Sequence, residues 1–509
     1  MGNTRRTATQ DSIMLRSEGL PLRARIARSM FWITWSRGLL QVLSFVTTLL
    51  VARILVPADY GVMALAGFWT GIAGILADMG VGSAIIQFRD LSKREIDTCF
   101  WITMTLAVGC SAVLSLSAPL IARWFMVSRL ADVLPVLSLV LPFTASRVVS
   151  DSLLRKRLAL DRVSQAEIIG AVVALPLMLG CAIAGLGVWA LVVGALVSPV
   201  VRSVATFAFA PWWPGLHLGG QRVKEIVHFS LATLGVKIMW SLREWSNTLV
   251  IGKVTGQAEI VGLYSMAEEI ATLPGNKIST VVNMLSSPVM AELQKDVDAM
   301  RAAFYRALRL TAAIAMPAAA GMALVADDLV GAVLGPKWLP AVPVLRVLSL
   351  YAAIRTVDVL LPPVLFARRR ESFLFWYCAA LLVLAPAGAV LGAVWNGALG
   401  AVMVSTPIYC AVMLFMAHTA LAEMRSGFLQ LWWALWPILT ATTVMAAVVL
   451  FLREFAFAGQ PGSALLRLIF LSVSGAVTYS ATLFTMGGPV IIEGAEVLGW
   501  VFRRQRAES

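Results

Sequence analysis

Long apolar stretches recur along the chain, each near the length that crosses a hydrocarbon core. Short polar loops separate them. The pattern predicts about fourteen transmembrane helices, at 27–52, 60–86, 97–118, 131–154, 164–184, 188–210, 228–252, 258–290, 303–326, 341–366, 373–394, 398–420, 430–452 and 464–486. An all-α polytopic membrane protein follows. The composition agrees, with 59% hydrophobic residues and a mean hydropathy of +0.83, well above a soluble domain. No polar stretch is long enough for a separate soluble domain.

The loops alternate between basic and nearly uncharged. Lys and Arg favour cytoplasmic loops, so this bias sets an orientation. Basic clusters fall before the first span (Arg5, Arg6, Arg16, Arg23, Arg25, Arg28), at Arg89–Arg94, at Arg155–Arg162 and at Arg368–Arg370. Further basic residues follow at the end, Arg503, Arg504 and Arg506. The intervening loops hold few basic residues, and the weakest step of the alternation is at Arg425 and Arg453. Both termini are therefore expected in the cytoplasm. The net charge of +13 is accounted for by these loops and anionic headgroups, so nucleic-acid binding is not required. The first apolar run is too long for a signal peptide, and Arg6 stands where a myristoylation site needs Ser or Thr.

Little points to covalent chemistry. The five cysteines all lie in apolar stretches, without the spacing of a disulfide framework or a metal site. There is no phosphate-binding G-x-x-x-x-G-K-[ST] and no H-E-x-x-H. Asp327-Asp328 is too small a cluster to define a metal site. The chain is expected to be no enzyme and to carry no cofactor.

The chain also matches itself. Arg53 aligns with Lys253, Ala58 with Ala258 and Asp59 with Glu259, and at the same offset Arg37 aligns with Lys237. Further on, Arg147 aligns with Arg355 and Ser198-Pro199 with Thr406-Pro407. The collinear order predicts two pseudo-symmetric six-helix lobes in parallel orientation, the arrangement of two-lobed transporters. The expected segments are a basic arm (1–26), an N-lobe (27–212), a linker (213–227), a C-lobe (228–424), two extra helices (425–486) and a basic tail (487–509).

Polar residues inside a membrane are costly, so their arrangement carries information. Thr34, Arg37, Gln41, Ser44 and Thr48 are spaced 3, 4, 3, 4 and share one helix face. Ser230, Thr233, Lys237, Trp240, Glu244 and Asn247 form a second stripe. Glu269, Thr272, Asn276, Thr280, Asn283 and Ser287 form a third, with Glu268 and Lys277 at its margin. The second helix presents Gly67, Gly71, Gly74, Asp78 and Gly82, a small-residue face with one carboxylate. These stripes predict a polar cavity with basic members Arg37, Lys237, Arg243 and Lys277 and acidic members Asp78, Glu244, Glu268 and Glu269. Arg and Lys suit phosphate oxygens. Mutual neutralisation in ion pairs is the competing explanation. Arg53, Asp59, Lys253 and Glu259, at the outer ends of helices 1, 2, 7 and 8, read as a gate or equally as capping charges.

Certain segments resemble a known family. VARILVPADYGVMALA (Val51–Ala66), LADMGVGSAIIQFRDLSKREIDTCFW (Leu76–Trp101), LLRKRLALDR (Leu153–Arg162), GLGVWALV (Gly185–Val192), SSPVMAELQKD (Ser286–Asp296) and GPKW (Gly335–Trp338) are similar to bacterial oligosaccharide flippases of the polysaccharide transporter (Wzx-like) family. That family lies within the multidrug/oligosaccharidyl-lipid/polysaccharide exporter (MOP) superfamily. The resemblance implies a flippase that moves polyprenyl-diphosphate-linked sugar repeat units to the periplasmic leaflet by alternating access. Proton or sodium coupling through Asp78 or a helix-8 glutamate would fit, as would a polysaccharide polymerase and glycosyltransferases as partners. Matching motif positions support Arg53, Asp59, Gly61, Asp78 and Gly80. Two other readings remain, a cation-coupled multidrug exporter of the same superfamily and a membrane scaffold for polysaccharide-assembly enzymes.

Overall fold

The computed structural model describes residues 43–88, 91–157, 159–216, 223–455 and 464–486, with a few isolated positions besides. The stripe residues Arg37 and Gln41 lie outside the described residues. Every regular element described is helical: α1 (Leu43–Ile54), α2 (Pro57–Asp78), α3 (Val81–Gln87), α4 (Lys93–Phe125), α5 (Leu130–Ser138), α6 (Val140–Lys156), α7 (Leu160–Ile183), α8 (Val188–Phe209), α9 (Val223–Thr255), α10 (Ala258–Glu292), α11 (Val297–Leu324), α12 (Val342–Asp358), α13 (Leu361–Ala367), α14 (Glu371–Glu423), α15 (Phe428–Phe455) and α16 (Ala464–Met486). Among the described residues, nine helical stretches are long and apolar enough to cross a membrane. Helices α9 and α10, which carry two of the polar stripes, fall outside that set.

Several expected spans differ from single uninterrupted helices, among them the fourth, which is divided between α5 and α6 at Leu139. The second breaks after Asp78, where Met79 and Gly80 both take positive φ, so Asp78 ends α2 and Gly82 belongs to α3. The tenth is divided between α12 and α13. Conversely, α14 runs as one 53-residue helix but holds two spans, turning at Asn396 and Gly397. Gly397 has φ 51°, ψ −135°, and Gly187, ahead of α8, has φ 58°, ψ −131°. An L side chain is strained in that conformation. The same glycine turn thus joins α7 to α8 and the two arms of α14, a local signature of the repeat.

By their contacts the residues group into two units. The first holds residues through Leu55 and Ala66–Ser241, the second Val56–Leu65 and Leu242–Ser509. The division falls inside α9. In the first unit, α4 begins with a capping box. Ser92 Oγ accepts the Glu95 N–H, and Glu95 Oε2 accepts the Ser92 N–H at 2.8 Å, which satisfies two of the open donors of a helix start. One turn on, Thr98 accepts the Gly219 N–H at 2.9 Å and Trp101 Nε1 donates to Gly215 O at 2.9 Å. These bonds tie the segment ahead of α9 to α4. Val81, Ala84, Ile85, Phe100, Val149 and Ile226 pack beside them.

In the second unit, Met290, Phe304, Leu308, Val364, Leu381, Met416 and Leu421 form a core across α10, α11, α13 and α14. The last two helices are fastened to this unit by charge. Arg453 of α15 donates to Asp327 at 2.5 Å and to Leu324 O at 3.1 Å. Arg467 of α16 pairs with the fully buried Asp328 carboxylate. Arg346 also pairs with Asp327. Large apolar side chains such as Leu116, Leu429 and Phe484 stay exposed, as expected of surfaces facing lipid.

Candidate functional site

The second unit contains a polar cavity built from four helices. Arg243, Glu244 and Asn247 come from α9, Glu268 from α10, Leu348, Tyr351 and Arg355 from α12, and Thr406 and Tyr409 from α14. The free space at its centre is about 30 Å³, room for a water molecule or two. A second small cavity adjoins it and shares Arg243, Tyr351, Arg355 and Tyr409. It adds Asp358 and Tyr377.

The hydrogen bonds assign partners. Arg355 Nη2 donates to Glu244 Oε1 at 3.1 Å. Tyr264 OH donates to Glu268 Oε1 at 2.9 Å, one helical turn along α10. Tyr377 OH donates to Asp358 Oδ1 at 3.4 Å. The rings of Tyr351 and Tyr409 lie 5.4 Å apart, tilted by 42°. Asn247 Oδ1 is buried and has no hydrogen-bond partner among the described residues. A buried acceptor left open is expensive unless a water or ligand supplies a donor. Three carboxylates (Glu244, Glu268, Asp358) face two guanidinium groups (Arg243, Arg355), so the cluster is one charge negative when all are ionised.

Of the residues singled out by the stripes, Arg243, Glu244, Asn247 and Glu268 line this cavity. Glu269 does not line it and lies within electrostatic reach of Tyr60 instead. Adjacent helical positions point about 100° apart, and here Glu268 is the one of the two glutamates that faces the cavity. Asn276 and Trp240 are exposed, and the Lys277 side chain lies outside what the structure describes. In the first unit, Lys237 Nζ donates to Asp78 Oδ2 at 3.1 Å. Glu244 thus pairs with Arg355 and not with Lys237.

A further ionic cluster occupies α6, α7 and α8 of the first unit. Asp151 accepts from Arg155 Nε at 3.3 Å and lies 3.6 Å from Arg147 Nη1, and Arg202 Nη2 donates to Glu167 Oε1 at 2.6 Å. Arg147 and Arg355, aligned in the repeat, each hold an acid of their own unit.

Seven polar contributors to the second-unit site escape the stripe reading: Tyr264, Tyr351, Arg355, Asp358, Tyr377, Thr406 and Tyr409. A signal was present. Tyr351, Arg355 and Asp358 are spaced 4 and 3, the rule that defined the other stripes. Four of the seven tyrosines in the chain gather here, at 264, 351, 377 and 409.

Ionic groups and tyrosines gathered among apolar spans mark a functional site. A model of the family described as "Polysaccharide biosynthesis protein" matches residues 50–343, more than half of the chain, and the chain belongs to that family. It is 24% identical over 387 residues to the lipopolysaccharide biosynthesis protein WzxC of Escherichia coli (strain K12), covering 75% of this chain and 78% of that one. It is 26% identical over 460 residues to the succinoglycan biosynthesis transport protein ExoT of Rhizobium meliloti (strain 1021), covering 89% and 92%. Among solved structures it is similar to the lipid II flippase MurJ in an inward closed conformation, with a TM-score of 0.72 at 12% identity, over 91% of this chain and 100% of that one. It is also similar to an inward-facing multidrug resistance MATE family transporter of the MOP superfamily, with a TM-score of 0.60 at 17% identity, over 76% and 96%. At such identities the likeness establishes the fold. The protein is a multi-pass helical membrane protein of the polysaccharide biosynthesis family.

Proposed function

We propose that the protein is a flippase for polyprenyl-diphosphate-linked oligosaccharide repeat units, carrying the headgroup from the cytoplasmic to the periplasmic leaflet while the lipid tail stays in the bilayer. The observation that carries this reading is the second-unit cavity. Ion pairs, tyrosine hydroxyls and an open amide oxygen stand inside an apolar helical unit, where packing alone needs none of them. Tyrosine rings and hydroxyls offer stacking faces and hydrogen bonds to sugars. Arg243 and Arg355 offer donors to phosphate oxygens. The relatives named for lipopolysaccharide biosynthesis and succinoglycan transport support the same substrate class.

The test is translocation in reconstituted vesicles. A polyprenyl-diphosphate-linked oligosaccharide is placed in one leaflet, and its headgroup is read with an impermeant lectin in the other. Protein-dependent appearance of the headgroup is expected, and its absence from correctly folded protein overturns the reading. With all of its groups ionised the cavity is one charge negative, which favours a second reading, export of an organic cation. A gradient-driven efflux of ethidium from the same vesicles, with no headgroup translocation, would select it.

The proposed orientation has both termini in the cytoplasm. Ser92 would then face the cytoplasm and the exposed Ser128 the periplasm. Single-cysteine labelling with an impermeant reagent in intact spheroplasts should modify position 128 and spare position 92.

A further inference from the structure

Two ionic clusters occupy matching places in the sequence, and their charges differ. At the offset that aligns Arg147 with Arg355 and Ser198-Pro199 with Thr406-Pro407, Ser150 falls on Asp358 and Arg202 on Cys410. Arg355, Asp358, Thr406 and Cys410 all line the second-unit cavities. In the first unit a serine thus stands in place of an acid, and an arginine in place of a thiol. There three guanidinium groups (Arg147, Arg155, Arg202) face two carboxylates (Asp151, Glu167). That cluster is one charge positive when all are ionised, whereas the second-unit cluster is one charge negative.

The helices bring the first-unit groups together. Arg147, Ser150 and Asp151 share one face of α6, being three and four residues apart. That face is held against α7 and α8 on either side of the cluster. Ser203 Oγ donates to Phe143 O at 2.7 Å, and Leu154 packs with Val163 and Ala210. Helices α7 and α8 approach closely at Gly170, where an added Cβ would lie 3.0 Å from Ser198 O and 3.4 Å from Arg202 Cβ. Glu167 stands one turn before Gly170 and Arg202 one turn after Ser198, so the crossing sets up their 2.6 Å hydrogen bond. Arg147 lies within electrostatic reach of both Arg202 and Glu167.

The ion pairs leave hydrogen-bonding capacity unused. Arg147 and Arg202 meet their carboxylates through Nη atoms. Both Nε donors are buried and have no partner among the described residues. The same holds for Asp151 Oδ1 and for the hydroxyl of the fully buried Ser150. Buried groups left open are costly unless a ligand or water meets them. Two like charges within reach of each other, each with an open donor, call for an anionic acceptor. The open carboxylate oxygen calls for a donor. A sugar phosphate supplies both, with phosphate oxygens for the guanidinium groups and a hydroxyl for the carboxylate.

We propose that the first-unit cluster is a binding site for a glycosyl phosphate. Arg147, Arg202 and Ser150 hold the phosphate, and a sugar hydroxyl donates to Asp151. The site needs no transport cycle, so it stands or falls apart from the transport reading.

The detergent-solubilised full-length protein is titrated calorimetrically with glucose 1-phosphate, inorganic phosphate and glucose. Wild type should bind glucose 1-phosphate at least about fivefold more tightly than phosphate, and glucose not measurably. Arg147→Gln and Arg202→Gln should each weaken glucose 1-phosphate binding by about tenfold, since each removes a charged donor. Arg370→Gln, which removes a guanidinium from the Arg370–Glu423 pair, should leave it unchanged. Asp151→Ala should abolish the preference for the sugar without weakening phosphate binding. Ser150→Ala leaves every ion pair intact and should weaken binding by about threefold, which serves where an arginine variant fails to fold. Competition with a short-chain prenyl-diphosphate-linked glucose then separates two sources of the same chemistry. Displacement of glucose 1-phosphate supports a lipid headgroup as the ligand, and retention supports a soluble one. No binding to folded wild-type protein overturns the proposal. Wild-type affinity in the folded arginine variants, or in Ser150→Ala, overturns it as well, since the open groups would then not be the site.

Discussion

Lys237 Nζ sits 3.1 Å from Asp78 Oδ2, so the lysine expected to meet a substrate diphosphate already has a resident anion. Both side chains keep partial solvent access, at 41% and 36%. An exposed pair of this kind contributes about 1 kcal/mol or less, small enough for a phosphate to displace the carboxylate.

Competition at this pair gives a signed prediction. Asp78→Asn should tighten binding of a polyprenyl-diphosphate headgroup by about fivefold, because Lys237 no longer has to leave a partner worth about 1 kcal/mol. Lys237→Ala should weaken binding. Titration of the purified variants with the lipid-linked diphosphate checks both signs. Equal affinities for wild type and both variants would assign the pair to structure alone.

Arg355 bridges α12 to α9 through Glu244 and stands beside Glu268. Arg355→Ala removes the counter-charge from two carboxylates, and the variant should lose about 1–3 kcal/mol of stability. Glu244 is itself largely exposed, at 56%, so Glu244→Gln should cost less. Thermal melts of the detergent-solubilised variants should rank them in that order. Arg355→Lys should recover part of the stability, keeping the charge without the planar fork.

The Asp328–Arg467 pair offers a sharper contrast, because the carboxylate has no exposure at all. Arg467→Ala strands a buried charge and should cost about 3 kcal/mol. Combining it with Asp328→Asn should restore much of the loss, since coupled sites are not additive. The melting temperature reports this, and the single variant should melt lower than the double.

At Gly397 a left-handed φ is imposed by the turn between the arms of α14. Gly397→Ala should cost about 1–3 kcal/mol of backbone strain and lower the yield of monodisperse protein in size-exclusion chromatography. Gly392→Ala should be at least as damaging, because its Cβ would lie 2.0 Å from Gly400 O across the same hairpin.

Hydropathy made the spans legible because apolar length is a one-dimensional property of the chain. Breaks within spans were not, since Met79–Gly80 interrupts a stretch that stays apolar on both sides. Helical spacing found Glu244, Asn247 and Glu268 because their helices are polar along a whole face. It passed over Arg355 and Asp358 because on α12 only Tyr351, Arg355 and Asp358 keep that spacing, at the end of a largely apolar helix. Which of Glu268 and Glu269 enters the cavity depends on helix rotation, which packing sets. Gly61 and Gly262 stand at the starts of α2 and α10, where each comes against the other helix's first residue. Backbone contact between glycines leaves no mark in hydropathy, and only coordinates reveal it.

The ionic fastening of the last two helices has a consequence for how the protein is made. Arg425 lies in the connection before α15, and Arg453 and Arg467 flank the connection after it. A basic-residue count therefore gives the membrane-insertion machinery no clear instruction for this hairpin. Asp327 and Asp328 neutralise the two arginines at that end of the hairpin. Those carboxylates sit between α11 and α12, which are synthesised more than a hundred residues earlier. The pairs can close only once that part of the chain is in place, so they hold the hairpin to its unit late in the making of the protein.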